Sequence, residues 1–224
     1  MTTNPPEIPP SPPHEAAARR DWPAYFDRME GKPPRDTLIA ALDAFGPVDP
    51  DSPPLALDVG CGAGRDVVEL LERGWRVWAM DDSVDGLSRV RAHPTCAAAI
   101  EAGGLEVECV GFEAARPPPA ALVNASFSLP FCPPGEWAAL WRRLDDAIEP
   151  GGRFSGQFFG DRDDWATIED RTHLTRSQVF DLFSQYVIEL FREEDRASTH
   201  RGDAHKHWHV FHVVARKRGG APTK

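Results

Sequence analysis

Apolar positions recur along the chain first at helical spacing, then in short blocks separated by helical stretches. Trp22, Tyr25, Phe26 and Met29 predict a helix over residues 16–29, closed by Pro33 and Pro34. Leu38, Leu42 and Phe45 predict a short helix that stops before Gly46-Pro47. Strands are predicted at 55–59, 76–80, 105–110, 121–127 and 153–159. Helices are predicted at 65–73 and at 83–91, the second with Ser83 as its N-cap. Trp137, Leu140, Trp141, Leu144 and Ile148 form one buried helical face, ended by Gly151-Gly152. Thr175 and Gln178 have capping-box spacing ahead of Val179, Leu182 and Phe183. Two more strands, 187–191 and 207–215, finish the pattern.

Strands alternating with helices imply an α/β fold: a Rossmann-like, seven-stranded, mostly parallel sheet with helices on both faces. About 15 residues without a helical pattern separate the last two strands, too few for a parallel crossover, so the final strand is expected to run antiparallel. Six prolines among the first 13 residues predict a disordered tail over 1–14. Residues 15–50 then form a helical lid, 51–218 the main domain and 219–224 a flexible tail.

The strongest local signal is Leu57-Asp58-Val59-Gly60-Cys61-Gly62-Ala63-Gly64-Arg65-Asp66. An apolar strand ends in three alternating glycines and a helix starts at once, which leaves backbone amides free to meet an anionic group. About 20 residues after the first glycine, Asp81 closes the second strand, where a carboxylate can accept both hydroxyls of a ribose. Asp82, one residue on, is its rival. A dinucleotide site reads G-x-G-x-x-G, whereas here the third glycine comes one position early and an acid precedes the first by two.

That arrangement resembles motif I of class I S-adenosylmethionine-dependent methyltransferases, and the likeness spans roughly residues 51–217. The resemblance implies S-adenosylmethionine as cofactor and S-adenosylhomocysteine as product. It places Gly60, Cys61, Gly62 and Gly64 against the methionine part and ribose, with Asp58 organising the loop or meeting the amino group through water. Asp81 takes the ribose. Where the family often has an acid after the third strand, this chain has Val110-Gly111-Phe112-Glu113. Phe112 is then a wall for adenine or plain core, and Glu113 a substitute for the missing acid. The fourth strand leads to Ser126, Phe127 and a Ser-Leu-Pro-Phe loop, not to the N/D-P-P-Y/F of amino-methyltransferases. With the Gly-Asp-Arg-Asp-Asp-Trp loop and the His207–His212 strand, it resembles a bacterial small-molecule branch of tellurite-resistance and thiopurine type.

A small-molecule acceptor sits beyond the carboxyl ends of the parallel strands. Tyr25, Phe127 and Phe131 are the aromatic candidates beside a sulfonium. His207 and His209, with Tyr25, are the catalytic candidates, the histidines as bases for a protonated acceptor; their other reading is structural. His205, His207 and His209 alternate, but no matching ligand spacing exists elsewhere, so no metal is expected.

Net charge −10 makes bare nucleic acid or an anionic membrane a poor partner. Nothing resembles a signal peptide or a spanning helix, and Cys61, Cys96, Cys109 and Cys132 form no C-x-x-C pair, which fits a reducing cytoplasm; a monomer or homodimer is expected, the sequence leaving the choice open. The rival readings are a non-catalytic adenosyl-ligand binder on the same fold, a nicotinamide-dependent oxidoreductase, and a macromolecular methyltransferase.

Overall fold

A computed structural model describes residues 13–198 and 206–219. Two short helices, α1 (Pro13–Ala18) and α2 (Trp22–Met29), precede α3 (Asp36–Phe45). The main domain follows as β1 (Leu55–Val59), α4 (Arg65–Glu72), β2 (Arg76–Asp81), α5 (Val84–Ala92), α6 (Pro94–Glu101), β3 (Leu105–Cys109) and β4 (Ala120–Ala125). It continues with α7 (Pro134–Ala147), β5 (Ile148–Gly160), β6 (His173–Leu174), α8 (Arg176–Leu182), β7 (Tyr186–Ala197) and β8 (His207–Lys217).

The sheet runs β3-β2-β1-β4-β5-β8-β7, and β8 pairs antiparallel with both β5 and β7. The expected path of seven strands with an antiparallel last strand is therefore present, with the two-residue β6 added beside β5. Period-two alternation sorts the side chains of β8. Phe211, Val213 and Ala215 join Leu140 and Leu144 of α7 and Val179 of α8 in one core layer. Val214 joins Leu38 and Leu42 of α3 and Val67 and Leu70 of α4 in the other. Helices therefore cover both faces.

Three local expectations need correction, and one helix was missed. Ile148 and Gly151-Gly152, expected on and at the end of the helix through Trp137, lie in β5, because α7 stops at Ala147. The helix expected over 16–29 is two helices, because Arg20 takes φ 56 between them. Pro13 and His14 belong to α1, not to the tail, while residues 1–12 lie outside the described residues. Helix α6 was not anticipated: its sequence, PTCAAAIE, buries only Cys96 and has almost no polar-apolar contrast. The Thr175–Gln178 capping box is present in both directions.

Phe158 is 2% exposed, stacks on Phe154 and meets Trp137 and Trp141 edge-on. We expect Phe158→Ala to cost ~3–5 kcal/mol, read as a lower urea midpoint with the slope unchanged.

Candidate functional site

The carboxyl ends of β1, β2, β4 and β5 open into one cavity of about 1590 Å³. A small-molecule site is typically ~300–1,000 Å³, so this space suits a nucleoside-sized ligand and a second molecule together. Its floor is Gly60–Arg65, Asp81, Asp82, Val110–Glu113 and Ser126–Ser128; its roof includes Trp22, Tyr25 and Phe26 of α2.

The turn is held from below by a buried polar cluster. Asn124 of β4 donates its amide to Asp58 Oδ1 at 2.8 Å and to Asp66 Oδ2 at 3.2 Å. Ser155 of β5 donates to Asn124 Oδ1 at 2.7 Å. Asp66 Oδ1 accepts from the backbone N–H of Arg35 and from Arg65 Nε, both at 3.2 Å. Asp58 is buried and its Oδ2 has no partner. Burial first, and the neighbouring Asp66 second, push its carboxyl up to about 8. Asp58 therefore lies under the turn and does not line the cavity.

Asp81 works from the side. Its Oδ2 accepts from Gly62 N–H and its Oδ1 from Ser83 N–H, each at 2.8 Å, while burial raises its pKa. Gly62 has φ 55, and a Cβ there would stand 2.8 Å from the Phe26 ring. Gly86 of α5 offers the other half of that socket: its Cβ would fall 2.8 Å from Gly62 O and 3.0 Å from Phe26. The bare backbone at Gly62 thus receives α2 as well as leaving room in the turn. Cys61 lines the cavity with its thiol pushed well up by burial. Phe112 and Glu113 line it past the end of β3, with the Glu113 carboxylate folded back over Gly111.

Phe127, on the floor, takes the left-handed conformation, φ 54. Its N–H donates to Gln157 Oε1 at 2.9 Å, and Gln157 Nε2 donates to Thr37 Oγ1 at 2.8 Å. Both side chains are fully buried, so the strained residue is fixed from β5 and α3. Sequence reading missed this pair. The signal available was one amide facing the same way as Ser155 in an apolar strand.

The strand histidines are placed differently from expectation. Trp208, Val210 and His212 line the cavity; His207 and His209 do not. His207 Nε2 sits 2.7 Å from Asp195 Oδ1. His209 is buried, accepts at Nδ1 from Arg162 N–H at 3.1 Å, and its Nε2 meets Glu193 Oε1 at 3.0 Å. These partners lie on the opposite face of β8, so the base role assigned to His207 and His209 is withdrawn on geometry. Glu193, Asp195 and His209 are close enough to share a cation, but Arg162 Nη2 lies among them, at 2.9 Å from Glu193 and 2.6 Å from Asp195. His205 lies outside the described residues. His212 takes the cavity position instead. Its Nδ1 is 3.2 Å from Arg192 Nη2, which also meets Asp36 at 2.6 Å, and burial lowers its pKa, keeping the ring neutral near pH 7.

The glycine turn, the acid at the end of β2 and the strand order with its antiparallel β8 now stand together. Residues 56–152 match the family described as Methyltransferase domain, the stretch from β1 into β5 that carries the turn. That stretch is thus similar to a methyltransferase domain, and the chain has the class I methyltransferase fold. No curated protein matches the sequence. The fold is similar to TehB from Haemophilus influenzae (TM-score 0.68, 13% identity), with 87% of this chain and 66% of that one covered. It is also similar to 1,6-didemethyltoxoflavin-N1-methyltransferase from Burkholderia thailandensis, solved with 1,6-didemethyltoxoflavin and S-adenosylhomocysteine. That match has TM-score 0.59 and 20% identity, covering 96% and 94% of the two chains. N-methyltransferase NodS from Bradyrhizobium japonicum gives TM-score 0.59 at 12% identity, covering 81% and 92%.

The native chain holds a proton on Asp58 that the unfolded chain sheds above its ordinary pKa of ~3.9. Stability from this group is therefore full below that value and is lost as pH rises toward about 8. We expect the thermal midpoint to fall between ~pH 4 and about pH 8, and Asp58→Asn to flatten that fall. Equal slopes in both proteins would show that Asp58 titrates normally.

Proposed function

We propose that this protein moves the methyl group of S-adenosylmethionine to a small-molecule acceptor, leaving S-adenosylhomocysteine. The observation that carries this reading is one continuous cavity running from the glycine turn and Asp81 to an aromatic chamber under α2. The Burkholderia protein, solved with both 1,6-didemethyltoxoflavin and S-adenosylhomocysteine bound, supports a small-molecule acceptor.

In this reading Gly60, Cys61, Gly62 and Gly64 form the bed of the cofactor. Asp58 orders the bed from below. Each Asp81 oxygen accepts one backbone N–H and keeps a lone pair for a ribose hydroxyl, with Asp82 beside it. Phe112 and Glu113 flank the adenine, Ser126 and Phe127 the sulfur end. The bound cofactor supplies an already activated methyl, so the protein's part is alignment and exclusion of water. Tyr25, Phe127 and Phe131 present ring faces to the cation. Arg20, in contact with the Phe131 carbonyl at 3.0 Å, helps tie α1 and α2 down as the lid over the acceptor. His212, neutral and steadied by Arg192, orients the acceptor where His207 and His209 cannot reach.

Among the described residues no helix is long and apolar enough to cross a membrane. Net charge −10 weighs against bare nucleic acid and an anionic membrane as partners, and the reading adopted is of a cytoplasmic protein, monomer or homodimer.

The deciding experiment measures S-adenosylhomocysteine formed from S-adenosylmethionine across a panel of small planar acceptors. Product with at least one acceptor is expected. Micromolar binding of S-adenosylhomocysteine with no turnover on any acceptor would favour the non-catalytic binder. Asp81→Ala is expected to weaken S-adenosylhomocysteine by ~10-fold or more while the protein stays folded. His207→Ala should leave turnover unchanged, whereas His212→Ala should raise the acceptor KM with cofactor affinity intact.

A further inference from the structure

The last two strands of the chain form one wall of the cavity. Arg192, Glu194 and Arg196 of β7 pair directly with His212, Val210 and Trp208 of β8, and period-two alternation turns all six toward the cavity. The charges of this wall are already matched. Arg192 meets Asp36 at 2.6 Å, and Arg196 meets Glu194 Oε1 at 2.8 Å. An anionic ligand would find both arginines taken and the Glu194 carboxylate beside it.

One donor of the wall stands without a partner. The guanidinium of Arg192 only donates, so its 3.2 Å contact makes His212 Nδ1 the acceptor and puts the hydrogen of the neutral ring on Nε2. That Nε2 is buried and makes no hydrogen bond among the described residues, with Glu194 Oε2 3.5 Å away. A buried N–H left in this state is costly, and an acceptor atom arriving in the cavity relieves it. A donor and a carboxylate oxygen therefore lie side by side on the wall. The neighbouring surface is aromatic: Phe127 meets the His212 ring edge-on at 6.0 Å and is tilted against Phe159 at 6.4 Å. The space suits a flat body with one polar edge.

We propose that the methyl acceptor is an uncharged planar ring with an amide-type edge, its ring N–H donating to Glu194 Oε2 and its adjacent carbonyl accepting from His212 Nε2–H. This deepens the methyltransferase reading above and rests on it. Such an edge presents one donor and one acceptor in the order the wall requires. A carboxylate would set its oxygens against Glu194, and a plain hydrocarbon ring would leave the His212 N–H unpaired.

The test uses two-ring probes with S-adenosylhomocysteine saturating, and reads dissociation constants by NMR titration. Carbostyril carries the N–H and the carbonyl, its N-methyl derivative the carbonyl alone, and naphthol a single hydroxyl. The wild type should bind carbostyril at least ~10-fold tighter than either of the others. Glu194→Leu should erase the preference over the N-methyl compound by weakening carbostyril alone, whereas Glu194→Gln should keep part of it. His212→Phe should weaken both lactams alike and leave their ratio unchanged. Affinity for S-adenosylhomocysteine and the thermal midpoint check the fold of each variant, and Glu194→Ala replaces the leucine if that disturbs it. A preference that survives the loss of Glu194, tighter binding of naphthol, or no binding of either lactam to the S-adenosylhomocysteine complex would overturn the assignment. If S-adenosylhomocysteine itself does not bind the wild type, the cofactor reading fails and the inference falls with it.

Discussion

One amide between two buried carboxylates sets the geometry of the whole carboxyl edge. Asn124 donates to Asp58 and to Asp66, and so joins the end of β1, the first turn of α4 and the end of β4. Two charged carboxylates at this depth would repel, and the structure answers by leaving a proton on Asp58. Ser155 extends the cluster to β5 and the Arg35 backbone extends it to the start of α3. The ends of β1, β4 and β5 are therefore indexed to one polar point. The apolar layers on either face supply stability, but they do not by themselves fix where the turn stands relative to the roof.

The roof is tied by arginines. Arg171, buried beside Phe131 and Trp165, donates through Nη2 to the carbonyls of Ala17 and Ala18, the orphan acceptors at the end of α1. Arg20, at the break between the helices, reaches Asp170 and the Phe131 carbonyl. Segments far apart in sequence are thus closed over one chamber through charged side chains and backbone oxygens. Such contacts are directional, and they hold the aromatic side chains of α2 at a set height above the floor.

Much of this was legible from residues alone, because periodicity and turn chemistry are local. The glycine turn, the acid closing β2 and the antiparallel last strand followed from spacing. The break at Arg20 did not, since the aromatic spacing of α2 runs smoothly back into α1 and nothing local marks a left-handed arginine. Helix α6 escaped for want of contrast. The error over the histidines was one of parity: His207 and His209 share a face of β8, but three residues from His209 to His212 reverse it. Gln157, Asn124 and Arg35 gain their meaning only from partners 30 or more residues away. No pattern within a single element announces such contacts.

The socket that Gly62 and Gly86 make for Phe26 has a consequence for how such a chain can diverge. Any side chain at either glycine displaces the ring, and any larger ring displaces the loop, so the three positions must change together or stay as they are. Trp22, one turn before Phe26 on α2, and Tyr25, beside it, are not the side chains that fill that socket. Descendants of this sequence can remodel the roof of the cavity at those two positions while the socket is inherited intact.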